Sequence, residues 1–106
     1  MPQFTVHRNR NPATRGRAPL LLDVQAGLLA GLGTRVVIPL IPASADARRG
    51  ALQTLTPLVS VEGRDYLLMA PQLAGIASRE LGAEVADLSS ARDAIVAALD
   101  FLITGI

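Results

Sequence analysis

Cysteine is absent from these 106 residues. That removes disulfides, thiol nucleophiles and the commonest zinc ligand, and it fits a reducing, cytoplasmic setting. Aromatic residues are scarce: only Phe4, Tyr66 and Phe101 are present, and there is no tryptophan. The core must therefore be built from Leu, Val, Ile and Ala, and no platform exists for stacking nucleobases. A single histidine, His7, excludes a multi-histidine metal site and leaves a serine or cysteine triad without its partners. No apolar run reaches the roughly 20 residues of a membrane-spanning helix, because Asp100 interrupts the longest candidate. The basic start followed by Leu20-Leu21-Leu22 imitates a signal peptide only until Asp23 and Gln25 break it. A soluble cytoplasmic protein with no metal, no cofactor and no membrane partner is expected, and nothing demands an enzyme.

Lysine is missing too, so all ten basic residues are arginines. They are unevenly placed. Residues 1 to 35 carry Arg8, Arg10, Arg15, Arg17 and Arg35 against Asp23 alone, whereas residues 62 to 106 carry seven acids against three arginines. Guanidinium forks grip carboxylates and phosphates in pairs, so the Arg8 to Arg17 cluster suits an acidic peptide or a nucleic acid backbone. A solvated loop is the plainer reading.

The length suits one domain, 1–106. Gln3 to His7 alternates polar and apolar residues and reads as a half-buried first strand, with His7 as a surface strand residue. Arg8 to Pro19 is a polar loop. Leu20 to Gln25 alternates again, with Leu20, Leu22 and Val24 on one face and Asp23 and Gln25 on the other. Arg35 to Ile41 is a strand covered on both faces, in which Pro39 requires an edge or a bulge. Pro42 to Thr56 is a connection with room for one helical turn. Leu58–Val61 and Tyr66–Met69 flank Glu62-Gly63-Arg64-Asp65 as a hairpin with a four-residue loop. Pro71 to Leu88 is ambiguous: Leu73, Ile76, Ala77, Glu80 and Leu81 fit a helix by spacing, but Gly75 and Gly82 weaken it.

The last segment is a helix. Ser89 and Ser90 stand where an N-cap belongs, Ala91, Ile95, Ala98, Leu99, Leu102 and Ile106 share one face, and Gly105 offers a left-handed end. The sequence stops one residue later on an aliphatic side chain, which is expected to be packed or used. Strands first and a helix last indicate an antiparallel sheet or small barrel with a helix packed on it. Chemistry-bearing motifs are weak. Gly31-Leu32-Gly33 lacks the third glycine of a nucleotide loop, and Glu84 and Asp87 read as acids favouring a helix start.

Five collinear pieces carry a resemblance: Gln3-Phe4, Leu22-Asp23-Val24-Gln25, Arg35 to Leu40, Glu84 to Ser89, and Gly105-Ile106. Together they resemble the CcdB family of toxins over essentially the whole chain. The resemblance implies a mainly β protein with one C-terminal α-helix, an SH3-like small barrel of the CcdB/MazF toxin type. It also implies a homodimer without catalytic activity, encoded beside a CcdA-like antitoxin in a plasmid-maintenance module. The target it implies is the DNA gyrase A subunit, with no direct nucleic-acid readout. Carried over by position, the gyrase-binding surface would comprise Gln3, Phe4, Leu28, Asp100, Ile103, Thr104, Gly105 and Ile106. The antitoxin is expected on Arg8, Arg10, Arg15 and Arg17.

Two departures from the family pattern matter. Thr104 stands where gyrase poisons of this family carry a tryptophan that stacks on a target arginine, so poisoning is expected to be weak or lost. Ala26 and Gly27 replace a Ser-Asp pair. The alternative reading is a metal-independent endoribonuclease of the MazF type, which would use Arg17 with Thr14.

Overall fold

The computed structural model describes residues 2–29 and 31–105. It is mainly β, with an antiparallel sheet curled into a half-barrel and one long C-terminal helix. The strands are β1 (Thr5–Asn9), β2 (Leu20–Asp23), β3 (Thr34–Pro42), β4 (Leu58–Val61), β5 (Arg64–Leu68), β6 (Ala74–Ala77) and β7 (Leu81–Asp87). Their order is β4-β5-β3-β2-β1-β7, with β6 also paired to β3. Helix α1 is the single turn Ala45–Arg49, and α2 runs Arg92–Thr104. Pro71 to Leu88 is mainly extended, broken by the 3₁₀ turns Ala70–Gln72 and Ser78–Glu80, and its helical spacing is overruled by pairing of β6 with β3 and of β7 with β1.

Strand β3 is long enough to serve two partners on one edge, β6 against Thr34–Val37 and β5 against Leu40–Pro42. Pro39 falls where the partner changes. Its carbonyl accepts from Met69 N–H at 2.9 Å on that edge, so its missing donor lies in the gap between β5 and β6 and leaves no ladder bond unmade. The β4–β5 turn is tighter than the four-residue loop expected from sequence. Val61 pairs with Arg64, leaving only Glu62 and Gly63, at φ 52° and 78°. Both values are positive, which is the type I′ geometry whose twist matches the strands it joins.

The main core lies on one face of the sheet. Leu20, Leu22 and Val24 of the β2 region meet Val6, Ile38, Leu40 and Leu68, closed by Ile95 and Ala98 of α2. Each such side chain contributes about 1.5 to 3 kcal/mol by leaving water. The other face is dry as well, which the alternation in β1 and β2 did not suggest. Leu21, Val37 and Leu81 form a second cluster there with Ile76, and His7, Asn9 and Asp23 are buried beside them. His7 is 1% exposed, not a surface residue: its Nδ1 stands 3.1 Å from the Gly82 carbonyl of β7 on this second, covered face.

Helix α2 also begins later than its serines suggest. Ser89–Ala91 is a 3₁₀ turn, no side chain caps α2, and Ser89 instead gives its backbone N–H and hydroxyl to Asp87. The far end is as expected: Gly105 adopts φ 72° and returns its N–H to the Phe101 carbonyl.

Candidate functional site

The C-terminal end of α2 presents apolar side chains to solvent. Ile103 is 74% and Phe101 40% exposed, with Asp100, Thr104 and Gly105 exposed around them. The Thr104 hydroxyl donates to the Asp100 carbonyl at 2.6 Å and so turns back onto its own helix. No basic residue occupies the last turn. The helix carbonyls and Asp100 therefore leave this end with negative character, suited to a cationic partner flanked by apolar surface.

The remaining residues of the expected gyrase surface are dispersed. Leu28, in the 3₁₀ turn Gly27–Leu29, is 99% exposed. Gln3 is half-buried and donates to the Val24 carbonyl. Phe4 is a core residue: at φ 67° its N–H donates to the Asp23 carbonyl and its own carbonyl accepts from Leu88 N–H. The Arg92 guanidinium sits 5.5 Å from its ring centroid. Arg92 opens α2 and Thr104 closes it, so Phe4 is tied to the end of the helix about 18 Å from Thr104. Ile106 lies outside the described residues.

Beneath the Leu28 turn is a buried polar network missed by sequence reasoning. Arg35 and Asp23 are fully buried, with Arg35 Nη2 at 2.6 Å and Nε at 3.0 Å from Asp23 Oδ2. Asp23 Oδ1 accepts from Gln25 N–H, and the Gln25 side chain accepts from Val36 N–H and donates to the Leu29 carbonyl. The ion pair thus anchors the segment that displays Leu28. Its only trace in the sequence is that Asp23 and Gln25 share a face of one strand while Arg35 opens the next.

The arginine segment is folded rather than loose. Asn9, 7% exposed, donates to the Thr14 hydroxyl and the Ala18 carbonyl and accepts from Asn11 N–H, which closes residues 10–18 over successive turns. Arg8 faces the β4–β5 hairpin, 4.0 Å from Glu62. Arg17 points the other way and donates to Gln72 at 2.7 Å. Arg10 and Arg15 are exposed. The four arginines therefore line a folded segment without forming one patch.

A family model described as CcdB protein matches residues 3–105. The chain belongs to the CcdB family. Membership makes it a toxin of the toxin–antitoxin kind, in a family that pairs with an antitoxin. The curled sheet and C-terminal helix agree with the CcdB fold. Among the described residues, no helix is long and apolar enough to cross a membrane. Thr14 and Arg17, the pair that a ribonuclease reading of a CcdB-like chain would use, do line one hollow. The Thr14 hydroxyl is engaged by Asn9, Arg17 by Gln72, and the floor is aliphatic.

Proposed function

We propose that this CcdB-family chain, one domain over 1–106, is a cytoplasmic homodimer that binds the DNA gyrase A subunit and is neutralised by a CcdA-like antitoxin, without catalysis of its own. The observation that carries the reading is the exposed end of α2, where Phe101 and Ile103 stand beside Asp100, Thr104 and Gly105 with no basic residue in the turn. That arrangement supports contact with a cationic, partly apolar target. Leu28, Gln3 and Phe4 would belong to the same surface only indirectly, Phe4 by fixing the sheet to α2. Antitoxin binding is assigned to Arg8, Arg10, Arg15 and Arg17. Dimerisation is supported by exposed apolar side chains outside the proposed gyrase surface, Leu29 and Leu32. Sedimentation at micromolar concentration is expected to give a dimer, and a monomer would contradict this part of the proposal.

Poisoning is expected to be weak, because Thr104 supplies no stacking surface. A ring on a desolvated guanidinium contributes about 1 to 2 kcal/mol, and truncating a central tryptophan anchor costs about 2 to 4 kcal/mol. The latter corresponds to roughly 30-fold to 1,000-fold in affinity. Incubating the protein with gyrase and plasmid and scoring cleaved DNA tests the proposal. The native chain should trap little, and Thr104→Trp should raise gyrase binding and growth inhibition. Strong toxicity in the native chain, unaffected by Gly105→Glu or deletion of Ile106, would show that the end of α2 is not the working surface.

A further inference from the structure

The hollow beneath residues 10–18 has no assigned role. It measures about 300 Å³, and its floor is Leu21, Val37, Pro39, Ala74 and Ile76. Two polar bridges cross its rim, Arg17 to Gln72 and Asn11 to Glu80 at 3.0 Å, and hold the loop away from the apolar floor. Its size is at the lower end of ligand pockets and suits one or two aliphatic side chains. Its lining carries one guanidinium, Arg17, and one carboxylate, Glu80, and the exposed Arg10 and Arg15 on the covering segment tip the surrounding charge to positive. Glu80 is the carboxylate lining the hollow, and both its oxygens already accept, from Asn11 Nδ2 and from Ala77 N–H. Arg17 bonds to a neutral amide, and Arg10, Arg15 and Arg17 form no ion pair among the described residues.

We infer that this hollow is the docking pocket for an aliphatic side chain on an extended, acidic segment of the antitoxin, with flanking carboxylates on Arg17, Arg15 and Arg10. The inference rests on the antitoxin pairing proposed above and adds where and how the segment is held. Charge complementarity selects the occupant. Three guanidiniums spread over eight residues call for several anions on one chain, which a free small acid does not supply. Along an extended segment, residues two apart lie about 7 Å from each other on the same side, so an apolar anchor and its acidic neighbours reach the floor and the rim together.

The probe is a blocked heptapeptide with a central leucine flanked on each side by glutamate and aspartate, compared with its alanine counterpart and with octanoate, against the full chain. Methyl NMR of Leu21, Val37 and Ile76 reports the location, and titration reports the affinity. The leucine peptide should shift these methyls and bind about 10-fold to 100-fold tighter than the alanine peptide. Ala74→Trp, and independently Ala13→Trp, should fill the hollow and erase that difference while leaving salt-dependent binding. Arg17→Gln should weaken both peptides. Equal affinity of the two peptides, unmoved methyls, octanoate binding as tightly as the leucine peptide, or loss of the dimer in both filled variants would each overturn the inference. The antitoxin encoded beside this chain separates the two levels. Binding that the filled variants do not alter removes the pocket but keeps the pairing. No antitoxin binding, with the peptide result intact, keeps an acidic-peptide pocket and removes the pairing.

Discussion

Replacing Arg35 with methionine should destabilise this protein more than almost any other surface or core change of similar size. Arg35 and Asp23 have no exposed side-chain area, and Asp23 Oδ2 takes two guanidinium contacts, at 2.6 and 3.0 Å. Methionine fills much of the same volume but leaves the Asp23 carboxylate in a dry interior opposite no charge. Breaking a buried pair from one side costs about 3 to 5 kcal/mol, a large share of the roughly 5 to 15 kcal/mol that holds a domain folded. At about 4 °C per kcal/mol for a chain of this length, the midpoint should fall by about 12 to 20 °C. The double change Asp23→Leu with Arg35→Met removes the stranded charge and should recover most of the loss. It remains short by about 1 kcal/mol, because Gln25 N–H loses its acceptor on Asp23. Urea unfolding followed by circular dichroism gives the three stabilities. Amide exchange at Gly27–Leu29 should quicken in the single variant, since Gln25 links the pair to the Leu29 carbonyl. A single variant within 1 kcal/mol of the parent, or a double variant no better than the single one, would refute this account of the network.

Two further outcomes follow from the surface. Replacing Arg8, Arg10, Arg15 and Arg17 with glutamine should weaken the antitoxin complex and flatten the dependence of its affinity on salt, because exposed charge pairs are screened by ions; an unchanged affinity and salt response would return the segment to a solvated loop. Hydrogen bonds from the Ser89 hydroxyl and backbone N–H hold the Asp87 carboxyl below its ordinary 3.8. Its folded value lies under its unfolded one, so this contribution is complete above 3.8 and is lost as pH falls through the lower folded value. In thermal melts across that acid range, Asp87→Asn should show a shallower loss of stability than the parent.

Much of this protein is written locally. The β-rich order, the C-terminal helix and its left-handed Gly105 end follow from short-range spacing and residue type, and the ordered pieces from Gln3-Phe4 to Gly105 carry the family. Alternation in Leu20–Gln25 correctly separates Leu20, Leu22 and Val24 from Asp23 and Gln25, on whose side Leu21 also falls. Asp100, Ile103, Thr104 and Gly105 at the end of α2 are marked by the family resemblance and not by spacing, which marks the face of Leu99 and Leu102 instead. The conformation of Phe4 was not legible locally: its left-handed backbone and its burial answer to Asp23 and Leu88, far along the sequence.

Tertiary structure alone decided which faces of β1 and β2 are dry. Strand alternation assigns side chains to sides with a period of two, but it carries no information about what covers each side. Here part of the second side is covered by residues 10–18, held through Asn9, Arg17–Gln72 and Asn11–Glu80, and Asp23 with Arg35 is closed in by the network that Gln25 ties to the Leu28 turn, so His7 and Asp23 are buried although their pattern resembles a wetted face. The same physics settled Pro71 to Leu88. Leu73, Ile76 and Leu81 keep a helical interval, yet the open edges of β3 and β1 offered backbone partners that a lone helix of that sequence, weakened by Gly75 and Gly82, could not match. Local spacing fixes which residues act together, whereas burial and final conformation depend on partners that only the folded chain brings within reach.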